Sequence, residues 1–149
     1  MTTIRGFEFP DELFYLLEHD AWLRLDADGD ATTGITSLGA HISGEFIEFM
    51  AKPVGTLVER ERALGMLEMS KVIRSARSPV TAIILDVNER VRADPKLINS
   101  DPYGEGWLLR VRPTAWQEES RLLVTGTAIP AALESYMAFL AETFGEAAP

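Results

Sequence analysis

The sequence predicts a mainly β fold, a small flattened sandwich or barrel with short helices and a C-terminal helical segment. Between residues 15 and 113, short apolar or alternating runs are punctuated by Gly, Pro and Asp, the pattern of brief strands and turns. From Pro113 onward the apolar residues recur at helical spacing instead. The 149 residues suit one domain over 1–149, with a core at about 15–113 and a helical extension at about 114–145, since a domain takes roughly 150 residues.

Taken in order, Phe9-Pro10-Asp11-Glu12 predicts a short helical turn, with Pro10 where its missing N–H costs little. Residues 22–25 and 31–35 flank Asp26-Ala27-Asp28-Gly29-Asp30 and predict a hairpin. Thr36-Ser37 can cap a short helix, and Phe46, Glu48 and Met50 alternate with Ile47 and Phe49 along a strand. Residues 63–69 and 72–76 read as two strands joined at Ser70-Lys71, and residues 80–87 form a β-branched run suited to a buried strand. A second short helix is expected around residues 94–98. Thr114 can cap a helix through Trp116 to Leu123 that Gly126 closes. A last helix carries Ile129, Leu133, Tyr136, Met137, Leu140 and Phe144 on one stripe, which predicts packing on the β core in preference to a partner-binding face.

Fourteen basic against 23 acidic residues leave a net charge of −9. Such a field repels phosphate backbones and anionic lipid, so neither nucleic acid nor membrane is an expected partner, and partners with basic faces are favoured. The start has neither a basic, apolar leader nor an arginine-rich amphipathic pattern, so a cytoplasmic location is expected. With no cysteine, disulfides, thiolate nucleophiles and thiolate metal sites are excluded.

No catalytic constellation emerges. Asp26, Asp28 and Asp30 suggest calcium, yet Ala31 and Ser37 stand where an EF-hand loop needs Gly and Glu, so a turn is expected. His19 and His41 have no converging ligands in the sequence, so no metal is expected. Gly104-Glu105-Gly106 lacks the lysine of a phosphate loop. What remains is lysine itself. Against eleven arginines there are three lysines, of which Lys52 and Lys96 adjoin prolines and Lys71 sits at the tip of a hairpin. A lysine there projects into solvent on a flexible stem, which suits covalent modification as well as it suits an ordinary surface charge.

The segment Asn99-Ser100-Asp101-Pro102-Tyr103-Gly104-Glu105-Gly106-Trp107-Leu108 closely resembles the N-x-DPYGEGWL motif of glycine cleavage system H proteins. Agreement in the same order comes from Glu18-His19 with Trp22, Gly34-Ile35-Thr36, Pro53-Val54-Gly55, and Gly65 to Lys71 followed by Ser78-Pro79-Val80. The resemblance implies the lipoyl/biotinyl-type β fold and a lipoyl group in amide linkage to Lys71; Glu68, a carboxylate three residues before that lysine, is then expected either to guide the attaching enzyme or polarise the amine, or to be an ordinary exposed strand residue. It also implies a carrier and not an enzyme, with a lipoate-attaching enzyme and dihydrolipoyl dehydrogenase as partners; a monomer is expected.

The departures are Met69-Ser70, Val72, Arg74, Arg77 and Thr81-Ala82 at positions where the family favours other residues, and one extra residue between His19 and Trp22. Phe9 to Tyr15 at one end, and Trp116 with Leu122 to Gly126 at the other, resemble lipoate-binding proteins of the heterodisulfide-reductase-like sulfur-oxidation system. That resemblance implies an arm that shuttles sulfur intermediates to such a complex. Arg74 and Arg77 then either favour anionic sulfur species beside the arm or stand as solvated charges on a strand edge. The alternatives are an arm that carries the aminomethyl group of glycine cleavage, and an interaction module that has lost the lipoyl group.

Overall fold

The computed structural model describes residues 1–144. Thr2–Ile4 (β1) and Phe7–Phe9 (β2) form a hairpin turned by Arg5 and Gly6, both at positive φ (52° and 85°). Next come Phe14–Leu16 (β3), Ala21–Leu25 (β4), Ala31–Ile35 (β5) and the helix Ser37–Ser43 (α1). Phe46–Ala51 (β6), Leu57–Val58 (β7), Ala63–Met69 (β8), Ile73–Arg77 (β9) and Ala82–Val87 (β10) follow. Glu89–Ala93 (α2) and Leu97–Ser100 (α3) precede Leu109–Pro113 (β11), and the chain continues through Trp116–Glu119 (α4), Val124–Thr125 (β12) and Ile129–Phe144 (α5).

The expected flattened sandwich forms from a seven-stranded sheet, ordered β12-β3-β4-β5-β11-β10-β7, and a three-stranded sheet, β6-β8-β9. Ala21, Leu23, Ala31, Ile35, Ile84 and Val111 of the large sheet meet Phe46, Phe49, Leu64, Leu67, Met69 and Ala76 of the small one in a single buried cluster. Trp22, between Ala21 and Leu23, points the other way into a second cluster with Tyr15, Leu38 and α5, as alternation along a strand requires. Its Nε1 donates to the carbonyls of Ile35 (3.1 Å) and Pro102 (3.0 Å).

Several expectations are corrected. The chain at 9–12 makes a turn and no helix: Leu13 N–H reaches only the Pro10 carbonyl, at 3.4 Å, because Phe14 onward is drawn into the sheet beside β4. Thr114 caps nothing, since Ala115 holds the cap position of α4 and the Thr114 hydroxyl donates to Thr81 O. The helix expected to run to Leu123 stops at α4 and a 3-10 turn, and β12 then pairs Val124 with Tyr15 and Thr125 with Phe14. Gly126 opens a second 3-10 turn instead of closing a helix. The helix around 94–98 is two helices, the first capped by the Asn88 carboxamide accepting from Arg90 N–H.

Ile129, Leu133, Met137 and Leu140 of α5 are buried in the second cluster with Tyr136 packed at its margin, whereas Phe144 is exposed; Gly145, the end of the expected extension, lies outside the described residues. Leu133 is fully buried and Phe139 is 56% exposed. Leu133→Ala is therefore expected to lower stability by about 2–5 kcal/mol in urea unfolding, and Phe139→Ala by no more than about 0.5 kcal/mol. Equal effects would show that the buried stripe does not hold α5 in place.

Candidate functional site

Lys71 sits where the small sheet projects into solvent. β8 and β9 pair antiparallel, Glu68 opposite Ile73 and Leu67 opposite Arg74, and the Met69 N–H closes the hairpin on Val72 O at 2.9 Å. The turn is Ser70-Lys71, and neither residue has a positive φ, so no glycine is needed there. Met69 is buried and anchors the strand immediately before the turn, while Ser70, Lys71, Val72 and Ile73 are exposed. Among the described residues, no hydrogen bond or ion pair engages the Lys71 amine. Lys52 is exposed beside Pro53, and Lys96 pairs with Glu45 at 3.6 Å.

Glu68 lies on the outward face of β8, between Glu48 of β6 and Ile73 of β9. It forms no ion pair with Lys71 among the described residues, so the geometry gives no support to a carboxylate that polarises the amine.

Arg74 does not flank the arm as expected. Its register partner Leu67 is fully buried, so Arg74 shares the inward face of the sheet. Its guanidinium donates to Ser43 Oγ (2.9 Å) and the His19 carbonyl (3.2 Å) and pairs with Asp20 at 3.5 Å. Arg77 likewise donates to Glu61 O at 2.8 Å. Neither guanidinium is left aimed at the arm, and neither is a fully solvated edge charge.

Asp20, which the sequence reading passed over, organises this region. It takes the left-handed conformation (φ 55°) at the end of a 3-10 turn, Leu17–His19. Tyr136 Oη of α5 donates to its Oδ1 at 3.0 Å. Gly39 of α1 passes so close that a Cβ there would lie 2.4 Å from Asp20 Cβ. Burial raises the Asp20 carboxyl pKa above its ordinary 3.8 even though Arg74, Tyr136 and His19 favour the charged form. A groove of about 650 Å3 opens from Asp20 along α5, lined by Leu17, Ile42, Tyr136, Phe139 and Phe144.

The remaining candidates are structural. Asp26, Asp28 and Asp30 face Arg110, and Arg112 donates to Asp30 at 3.0 Å, so arginines fill the place a cation would take. No metal-holding group of His, Cys, Asp and Glu occurs among the described residues. His41 packs edge-on against Phe7 (5.1 Å), and His19 lies 3.6 Å from Glu61. The Asn99–Leu108 motif is a brace. Asn99 links Gly44 O to Phe46 N–H, and the Tyr103 hydroxyl accepts from Ser37 N–H and donates to Glu8 O. A Cβ on Gly106 would lie 2.4 Å from Leu97 O.

The sequence profile described as "Glycine cleavage H-protein" matches residues 13–136. The chain belongs to the glycine cleavage H-protein family. It is 32% identical over 133 residues, 89% of this chain and 83% of the relative, to "Glycine cleavage system H protein 2" of Aquifex aeolicus. Identity is 36% over 104 residues, 70% of this chain and 80% of the relative, with the "Glycine cleavage system H protein" of Chromobacterium violaceum. The crystal structure of a glycine cleavage system H protein from Mycobacterium marinum superimposes with a TM-score of 0.73 at 29% identity, covering 85% of this chain and 99% of that one. H-family proteins carry lipoate covalently on a lysine and are carriers, not catalysts. They interact with lipoate-attaching enzymes and dihydrolipoyl dehydrogenase-type partners. Among the described residues of this H-family chain, no helix is long and apolar enough to cross a membrane.

The raised Asp20 pKa has a definite sign. The folded state holds the Asp20 proton more tightly than the unfolded chain does, so this group's contribution to stability is complete below its ordinary pKa and is lost as pH rises through the folded value. Urea midpoints measured from pH 3 upward are expected to fall for the wild type relative to Asp20→Asn across that window. A constant difference would remove the burial effect.

Proposed function

We propose that Lys71 bears lipoate in amide linkage and that this chain carries an aminomethyl group on that arm, as a glycine cleavage H protein. The observation that supports it is an exposed lysine, unpaired among the described residues, on a two-residue turn closed by the Met69 N–H on Val72 O, in a chain with the H-family profile over its folded core. The residues fit the group: the Lys71 amine is open to an enzyme from the solvent side, and no neighbouring side chain must be displaced. When bound, lipoate supplies a dithiolane that alternates between disulfide and dithiol.

Acylation uses atoms of this chain in a simple balance. Lys71 Nζ attacks the carbonyl of an activated lipoyl donor, a mixed anhydride or thioester. The amide C–N bond forms, the bond to the leaving group breaks, and the original ammonium releases two protons. Met69, buried under the turn, fixes the hairpin while the modifying enzyme takes them. Glu68 is proposed as a recognition residue for that enzyme.

A second reading assigns the arm to sulfur intermediates and a heterodisulfide-reductase-like complex. One observation favours a task outside glycine cleavage: three of the relatives are the numbered H proteins 2, 3 and 5 of Aquifex aeolicus, and one cleavage cycle needs one carrier. The aminomethyl reading stands first because the relatives' names all point to it and because Arg74 and Arg77 are engaged away from the arm.

Intact-mass and peptide analysis after lipoylation is expected to place one lipoyl group on Lys71. Lys71→Arg abolishes it, while Lys52→Arg and Lys96→Arg leave it in place; modification of Lys71→Arg would sink the site assignment. Glu68→Gln is expected to slow the modification, and an unchanged rate removes Glu68 from recognition. The lipoylated chain is expected to support glycine–bicarbonate exchange with decarboxylase. Failure there, alongside a working reference H protein, would favour the sulfur reading.

A further inference from the structure

We propose that the outward face of the three-stranded sheet, centred on Glu48 and Glu68, is the docking surface for the lipoate-attaching enzyme. That enzyme would meet it with an arginine set among apolar side chains. The inference rests on the reading that Lys71 is acylated.

The face is defined by register. Glu48 of β6 pairs with Glu68 of β8, and Glu68 with Ile73 of β9. One row further from the turn, Met50 pairs with Met66 and Met66 with Ser75, whose Oγ lies 3.6 Å from Met66 Sδ. Phe49, Leu67 and Ala76 occupy the opposite face and are buried, so the two rows point to solvent. Ile73 is 53% exposed and Met50 43%. The bulge between Phe46 and Glu48 adds Ile47 to the exposed apolar side chains, and Val72 joins them beside the lysine. Two carboxylates thus stand side by side within an apolar surround, at the foot of the turn that carries Lys71.

This arrangement is costly for the free protein. Like charges directly opposite across a strand pair repel, and among the described residues no Lys or Arg pairs with either Glu48 or Glu68. The two arginines of β9 have turned to Asp20, Ser43 and backbone carbonyls. Side chains on directly opposed residues sit about 4.5–5.5 Å apart at Cβ, a spacing that one guanidinium can bridge with its separate N–H donors. Methionine adapts to a partner's shape at low cost, which suits the flanking positions. A cation ringed by apolar groups is therefore the complementary surface.

The choice of partner follows from reach. The attaching enzyme must bring its reacting carbonyl to bonding distance of Lys71 Nζ, so its wall meets the foot of the hairpin at every turnover. An enzyme that acts on the far end of the finished arm can work from the length of the lipoyl chain away. Glu48 lies one strand over from Glu68, close enough to contact the first class of enzyme in every productive complex.

The test uses the full-length unmodified chain as acceptor, a purified lipoate-attaching enzyme, and initial rates against acceptor concentration. Glu48→Lys is expected to raise the acceptor KM about tenfold and Glu48→Gln about threefold, with the maximal rate within about twofold of wild type, as for loss of a docking charge. The distant, exposed Glu118→Lys is expected to leave KM within about twofold, although it changes net charge equally. Thermal midpoints of Glu48→Gln are expected at or above wild type, since the substitution relieves repulsion. A Glu48→Lys KM equal to wild type, an equal rise for Glu118→Lys, or a lowered midpoint for Glu48→Gln would each overturn the docking surface while leaving Lys71 as the modified residue. A wild-type chain that takes up no lipoyl group would instead remove the carrier reading, and this inference with it.

Discussion

Asp20 joins three parts of the molecule that share no backbone ladder. Its carboxylate receives Arg74 from the small sheet and Tyr136 from α5, while its own backbone turns the chain from a 3-10 turn into β4 of the large sheet. Only 9% of the Asp20 side chain and 23% of Arg74 remain exposed. Loss of either partner would strand a charge in a poorly hydrated place, a more serious matter than loss of a surface pair. The pose of the lysine hairpin over the sandwich depends on this junction, because Arg74 lies on β9 only three residues after Lys71. Gly39 makes the junction possible, since any side chain there would collide with Asp20.

The Asn99–Leu108 segment does a comparable job, with Tyr103 and Trp107 packed against the cluster that holds α5. Its carbonyls and side chains reach Trp22, Ser37, Glu8, Phe46 and Asn88, residues far apart along the chain. Apart from the exposed Glu8 contact, these hydrogen bonds are partly buried, where a missing partner is expensive. A carrier of this kind needs no cleft for chemistry. It needs one projecting side chain and a body that does not yield, and both polar junctions serve the second requirement.

The hairpin with Lys71 was legible because alternation, β-branched residues and a short polar turn all agree there. The Asp-rich hairpin at 26–30 was legible for the same reason, its acid groups being answered later in the chain by Arg110 and Arg112. Less of the two ends could be read. β1 and β2 are three residues each, too short for periodicity to show, and β12 exists only because β3 offers it an edge more than a hundred residues away in sequence. Around the site, Lys71 and Glu68 could be picked out by spacing and resemblance, whereas Asp20 looked like one more acid in an acidic chain. The direction of Arg74 was hidden because it depends on which face Leu67 buries. Glu48 was seen as part of an alternating strand, and only the pairing register shows which acid it opposes.

The turn at Ser70-Lys71 has a kinetic side. With Met69 buried beneath it and Arg74 fastened beyond it, the hairpin contributes little swing, and the reach of anything fixed to Lys71 comes from rotations within the side chain and its attachment. A tether that short holds its cargo at an effective concentration of about millimolar or above for an active site seated at the hairpin foot. Such an active site can bind the cargo weakly and still be saturated, so each partner can capture it quickly and let it go.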